Sequence, residues 1–365
     1  MPQFEGRCNL ELGSVVTGWV RRLAGVQEPV GVEVCSENGF QGFVTAALPR
    51  SDSPASGFSF RCELPTEIIA DGVKVQVRVI GSDFEFPNSP LTMWKNKTVM
   101  DTLQVTPLNI QRILSMPAKL AVQYLLLDPI DTCNAHCLYC PNLRTNKKME
   151  LDDFEALLEK LERPNVFQLG CGQEPTVDSR LPRFFQLISA SPSKPETLQM
   201  ITNGMLLDRF DPSVFVANGL EVLMLSIDTT DAEVNDTLRI GTKLSKMLAN
   251  IRQFRQQCPT VRLTFSTVVS TATIDSIQEL VLLGQDLGVS LYFFREVSDY
   301  SNHPRDPRYL VEMPRLLLPP GQFQLMQERL TERWPSGPFR FLSRPFIDHR
   351  RTTVRGAWNT LAAKA

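Results

Sequence analysis

Two periodicities divide the chain. In residues 73–79, Val73, Val75, Val77 and Val79 alternate with Lys74, Gln76 and Arg78, the two-residue repeat of a half-buried strand. The same texture surrounds them. "PVGVEVCSENGFQGFVTAAL" predicts two strands joined by a turn at Ser36–Gly39, and "SGFSFRCEL" predicts another. Residues 1–94 are therefore expected to form a small antiparallel β-sandwich accessory domain. Residues 95–117, with the helical piece "LNIQRILSM", are expected to be a linker with a short helix.

From residue 118 the pattern becomes strand, then helix, repeatedly. Apolar runs at 120–128, 166–170, 197–202, 221–227, 261–269 and 291–295 have the length of buried parallel strands. Helical periods lie between them. In "LDDFEALLEKL" the apolar Leu151, Phe154, Leu157, Leu158 and Leu161 share one face, and "DSIQELVLLGQDLG" ends on Gly288, a plausible C-terminal cap. Six βα units over 118–303 predict an α/β barrel or open sheet, with ligands at the carboxyl ends of the strands. A C-terminal extension, 304–365, is rich in Pro and Arg and contains one clear helix, "PGQFQLMQERLTERW".

Composition narrows the class without naming a reaction. The 365 residues exceed one ordinary core, and 42 % apolar with 21 % charged residues is a globular balance. A net charge of −2 and the lack of a long basic run argue against nucleic-acid binding. No secretory signal is visible in the first twenty residues, and no apolar run reaches the ~18 residues of a membrane span. Eight cysteines are too sparse for a disulfide scaffold. A soluble, cytoplasmic protein is the expectation.

The cysteines are not evenly spread. "DTCNAHCLYCPN" puts Cys133, Cys137 and Cys140 at C-x3-C-x2-C, directly after the first strand of the α/β region. A closed zinc site wants four ligands, so three thiols on one loop point to a metal centre with an open position. A zinc site completed by His136 and three inert, buried thiols are the alternatives.

With Tyr139 between the second and third cysteines, this loop resembles the signature of the radical S-adenosylmethionine (radical SAM) superfamily. The resemblance implies a partial (β/α)6 TIM-like barrel, a [4Fe–4S] cluster held by Cys133, Cys137 and Cys140, and one iron left for SAM. "LGCGQEPT" is similar to the family's G-G-E-P motif, with Gly172, Glu174 and Pro175 in place and Gln173 where the family has glycine. "MITNG" and "LMLSIDTT" bring Asn203, Ser226 and Asp228 to strand ends, and "TLRIGTKL" resembles an R-x-G segment carrying Arg239. The resemblance therefore implies SAM contacts from Tyr139 (through its backbone), Gly172, Gln173, Glu174, Asn203, Ser226, Asp228 and Arg239. It also implies an electron donor such as flavodoxin or ferredoxin.

Arg295 and Glu296 end the sixth apolar run, "VSLYFFREV", so barrel logic aims both into the mouth as the catalytic, substrate-facing pair. A solvated strand end or an internal salt bridge is the plainer alternative. Cys8, Cys35 and Cys62 lie on or beside strands of the N-terminal domain and are expected to be core thiols rather than a second cluster. Cys171 is expected to be a packing residue. The N-terminal pattern is also similar to β modules attached to bacterial glycosyltransferases. The expected function is hydrogen-atom abstraction from a peptide natural product or a glycan precursor. The competing readings are a degenerate barrel whose β module binds glycan or protein, and a zinc-binding structural protein.

Overall fold

A computed structural model describes residues 3–11, 15–24, 28–49, 57–68, 70, 72–86, 89–93, 97–116, 119–142, 144–298 and 307–343. Its first part is built of short strands: β1 (Phe4–Glu11), β2 (Val15–Arg22), β3 (Val30–Ser36), β4 (Gln41–Ala46), β5 (Leu48–Pro49), β6 (Phe58–Glu63), β7 (Lys74–Val79) and β8 (Leu91–Thr92). Two antiparallel sheets result, ordered β1-β2-β6-β5 and β4-β3-β7-β8. The expected turn closes β3 onto β4, with the Gly39 N–H donating to the Ser36 carbonyl at 3.1 Å. Val75, Val77 and Val79 are buried against Val32 and Val34, while Lys74, Gln76 and Arg78 point outward, so the alternation gave the inward face. Cys8 and Cys62 lie in this core, and burial pushes the Cys8 thiol up to about 12.

The second part follows one order in sequence and in space. β9 (Lys97–Val105) leads through α1 (Ile110–Leu114) to β10 (Lys119–Leu127), and a two-residue strand β11 (His136–Cys137) precedes α2 (Leu151–Lys160). Then come β12 (Val166–Leu169), α3 (Leu181–Ala190), β13 (Thr197–Thr202), α4 (Pro212–Ala217), β14 (Leu220–Leu225), α5 (Ala232–Leu238), β15 (Arg239–Ile240) and α6 (Leu244–Gln257). The chain continues with β16 (Arg262–Val269), α7 (Ile277–Asp286), β17 (Val289–Glu296), α8 (Pro307–Leu316), α9 (Gln322–Arg333) and β18 (Phe339–Leu342). Among the described residues one sheet runs β9-β10-β12-β13-β14-β16-β17-β18, parallel throughout. The order never reverses, so there is no switch point of the doubly wound kind, and the sheet is that of a partial barrel.

All six expected strands are present. Two more join them from segments where the sequence placed none. Residues 97–105, assigned to the linker, pair with β10, and residues 339–342 of the C-terminal extension pair with β17.

Period-two alternation then sorts the side chains. Phe167, Leu169, Met200, Leu223, Leu225, Phe265, Tyr292 and Phe294 pack into the large core with residues of the helices. The intervening positions face the other way, and many are polar. Tyr124 donates to Gln168 Oε1 at 3.0 Å, and Gln199 Nε2 reaches the same oxygen at 2.7 Å. Tyr124, Gln168 and Gln199 thus form a largely buried polar network on the concave side of this sheet. Among the described residues no helix is long and apolar enough to cross a membrane.

Candidate active site

The loop after β10 carries the three clustered cysteines and is fastened at its base. Asp131 accepts from the Thr145 backbone N–H at 3.1 Å and from its hydroxyl, and its other oxygen accepts from Gln173 Nε2 at 2.7 Å. Arg144 donates to the Ala135 carbonyl and meets His136 Nε2 at 2.7 Å. His136 is exposed, and its Nε2 is engaged there by Arg144.

Burial pushes the Cys133 thiol up to about 12 and the Cys137 thiol to about 11. Cys133 Sγ accepts from the Ala135 N–H at 3.4 Å, with Asn203 Nδ2 at 3.9 Å. Such N–H donors to sulfur are what iron–sulfur sites use to set their electronics. Among the described residues no three His, Cys, Asp or Glu side chains are grouped as ligands of a single ion. Three thiols on one loop, one of them accepting a backbone N–H, are the kind of donor set an iron–sulfur cluster takes.

β11 and β15 pair antiparallel, Cys137 opposite Arg239, and the Leu138 N–H donates to the Leu238 carbonyl at 2.9 Å. This two-stranded clasp explains the glycine of the R-x-G segment. Gly241 has φ of +93°, and a Cβ there would stand 2.6 Å from the Asn134 carbonyl oxygen. The clasp also buries Arg239, whose Nη1 donates to Asp228 Oδ2 at 2.9 Å and to the Tyr139 hydroxyl at 2.5 Å. Tyr139 in turn donates to Asp228 Oδ2, and Asp228 Oδ1 accepts from the Val268 N–H at 2.8 Å. Burial opposes the Arg239 charge, yet Tyr139, Cys137 and Asp228 outweigh it and hold the guanidinium above its ordinary value. Its Nε is buried with no hydrogen-bond partner among the described residues.

The Gly-Gln-Glu-Pro loop is held by a residue the sequence reading passed over. Asp128, 1 % exposed at the end of β10, accepts from the N–H groups of Cys171 at 2.8 Å, Gly172 at 3.1 Å and Gln173 at 3.2 Å. Gln104 Nε2 adds a fourth donor at 3.3 Å. Burial raises the Asp128 carboxyl, and these backbone donors pull against it. An acid at the very end of a strand, before Pro129, was the available signal. Gly172 also passes close to the cysteine loop, since Asn142 Nδ2 donates to its carbonyl at 2.7 Å.

Glu174 is committed to the scaffold. Oε1 accepts from the Thr176 N–H at 3.1 Å, the Thr176 hydroxyl at 2.6 Å and the Thr202 hydroxyl at 2.7 Å, and Oε2 accepts from the Asn203 N–H at 2.7 Å. It ties the ends of β12 and β13 together. Asn203 donates to Asn134 Oδ1 at 2.8 Å, joining β13 to the cysteine loop. Ser226 follows β14, half-buried, its N–H bonded to the Thr202 carbonyl at 2.9 Å.

The expected pair at the end of β17 is split. Arg295 reaches Ser266 Oγ at 3.5 Å on the concave side. Glu296 is the next residue on a strand and stands opposite Val269, which belongs to the helix-covered core. The alternation that aims Arg295 inward turns Glu296 outward, so the two do not enter the mouth together.

The family model described as "Radical SAM superfamily" matches residues 127–284. The mycofactocin maturase MftC of Mycolicibacterium smegmatis is 25 % identical, over 45 % of this chain and 42 % of its own. The GTP 3',8-cyclase of Nostoc punctiforme is 34 % identical, over 32 % of this chain and 38 % of its own. The chain thus spans less than half the length of these curated relatives. Streptococcus suis SuiB, solved with S-adenosylmethionine, superposes on 61 % of this chain and 50 % of its own, with 15 % identity and a TM-score of 0.49.

Proposed function

We propose the following chemistry for a chain that belongs, through residues 127–284, to the radical SAM superfamily: reductive cleavage of SAM and abstraction of a hydrogen atom from a precursor molecule. One arrangement carries the proposal. Three thiols share the loop after β10, with Cys137 opposite the buried Arg239 and Cys133 reached by Asn203 from the end of β13. When bound, a reduced [4Fe–4S] cluster supplies the electron that splits the SAM sulfonium and yields a 5′-deoxyadenosyl radical.

The chain's own residues do the holding. Cys133, Cys137 and Cys140 would bind three irons and leave the fourth for SAM. Arg239 keeps one buried donor, Nε, for a carboxylate acceptor. The backbone of residues 171–173 is held in place by Asp128, and that of Asn203 by Glu174. In this reading Gly172, Gln173, Asn203, Ser226 and the Tyr139 backbone line the cofactor space, while Glu174 and Asp228 position their neighbours. Tyr139 packs against the buried Val297 and Met313, which shields the loop from water on that side. The name maturase, carried by relatives of the cysteine-bearing domain, supports a precursor substrate, a peptide ahead of a saccharide. A flavodoxin or ferredoxin of the cytoplasm would deliver the electron.

Anaerobic reconstitution with iron and sulfide, followed by electron paramagnetic resonance of the reduced protein, tests this. The reading expects a cluster signal that changes when SAM is added. A protein that takes up zinc and no iron would overturn it.

A further inference from the structure

We infer that the space inside the barrel is built to receive a carboxylate of the substrate, with Arg295 as its anchor. The inference rests on the proposed radical chemistry only for the identity of the bound molecule as substrate. The observations are local to one wall. Tyr292 and Phe294 of β17 pack outward, with Tyr292 donating to the Val281 carbonyl of α7 at 2.9 Å and Phe294 stacked on Phe341. Leu291, Phe293 and Arg295 therefore face the concave side. On the neighbouring strand β16, Phe265 packs edge-on against Tyr292, which leaves Thr264, Ser266 and Val268 facing inward beside them.

Arg295 is poorly satisfied where it lies. Among the described residues its one hydrogen bond is the 3.5 Å contact to Ser266 Oγ, and its Nε is buried without a partner there. Among the described residues no carboxylate lies within ion-pair distance of it. A half-buried guanidinium with an idle fork and no counter-ion is a binding group awaiting an anion. Charge then chooses the anion. Arg239, the nearby cation of the cofactor region, is already balanced by Asp228. One charge uncompensated among the described residues suits a carboxylate, whereas a phosphate dianion would leave a second negative charge without a partner beside Phe293 and Val268.

The position is also productive. Val268 stands opposite Arg295 in the β16–β17 register, donates its N–H to Asp228 at 2.8 Å and, like Tyr139 of the cysteine loop, packs against Val297 and Met313. An anion held by Arg295 thus lies one strand from the group that positions the cluster loop. A molecule tethered there by its carboxylate would lie beside the strand that also holds Asp228.

Four probes test this on the reconstituted full chain by saturation-transfer NMR titration, without turnover. They are N-acetylphenylalanine, N-acetylphenylalaninamide, the blocked dipeptide acetyl-Asp-Phe-amide, and phenyl phosphate. The expected result is saturable binding of a carboxylate probe, at least about tenfold tighter than the neutral amide. The first and third probes separate a terminal carboxylate from an acidic side chain. Arg295→Gln should erase that preference, and Arg295→Lys should restore only part of it, since an ammonium lacks the fork. Equal binding of acid and amide, a preference that survives Arg295→Gln, an Arg295-dependent preference for phenyl phosphate, or no saturable signal would each overturn the assignment. Iron content and SAM binding, measured on the same samples, report separately on the radical chemistry.

Discussion

Arg239 and Asp228 meet at 2.9 Å with their side chains 7 % and 1 % exposed, and the Tyr139 hydroxyl bonds to both. The cysteine loop, the end of β14 and the β15 clasp are thereby joined at one buried point. Tyr139→Phe removes the hydroxyl that bonds to both members of the charged pair and should lower unfolding stability in urea by about 2 kcal/mol. Arg239→Ala strands a buried carboxylate and should cost about 3–5 kcal/mol. Parent-like unfolding midpoints for both variants would show that the network holds nothing.

Asp128 is the second fastening. Asp128→Asn replaces one acceptor oxygen with a donor that faces backbone N–H groups. Amide hydrogen exchange at residues 171–173 should accelerate, and SAM should bind about tenfold more weakly, a loss the size of one broken charge-assisted bond. Unchanged exchange at those three amides would refute the role.

Much of this was legible before the structure. The six central strands announce themselves because buried parallel strands are short, continuous apolar runs. β9 does not, since Asp101 and Thr102 interrupt "TVMDTLQV", and β18 is four residues long with Arg340 inside it. The cysteine loop is local, and so it was readable. The partnerships are tertiary, and so they were not. Asp128 and Cys171 are 43 residues apart, and Asp228 and Arg239 each resembled a cofactor contact rather than each other's partner. Glu296 parts from Arg295 for a simpler reason: adjacent residues on a strand do not share a face.

The N-terminal cysteines should be dispensable for the chemistry. Replacing Cys8, Cys35 and Cys62 together by alanine should leave the iron content of the reconstituted protein unchanged, because Cys8 and Cys62 sit in the sandwich core. Stability should fall through lost packing. Loss of half the iron would reveal a second cluster.

Gly241 is a backbone device. Gly241→Ala brings a Cβ to 2.6 Å from the Asn134 carbonyl at φ of +93°. The clasp should loosen, and the cluster should be lost faster to a chelator under anaerobic conditions, by about tenfold for roughly 1.4 kcal/mol of strain. Chelation at the parent rate would mean that the clasp does not guard the site.

The central claim is that Cys133, Cys137 and Cys140 hold the cluster that cleaves SAM. Its most direct test is 5′-deoxyadenosine formation from SAM by the reconstituted, dithionite-reduced chain, measured beside Cys133→Ala, Cys137→Ala and Cys140→Ala. The account predicts about four irons per chain and 5′-deoxyadenosine in the parent, with both lost in each variant. A parent loaded with four irons that leaves SAM intact, or a variant that still cleaves it, would contradict the account.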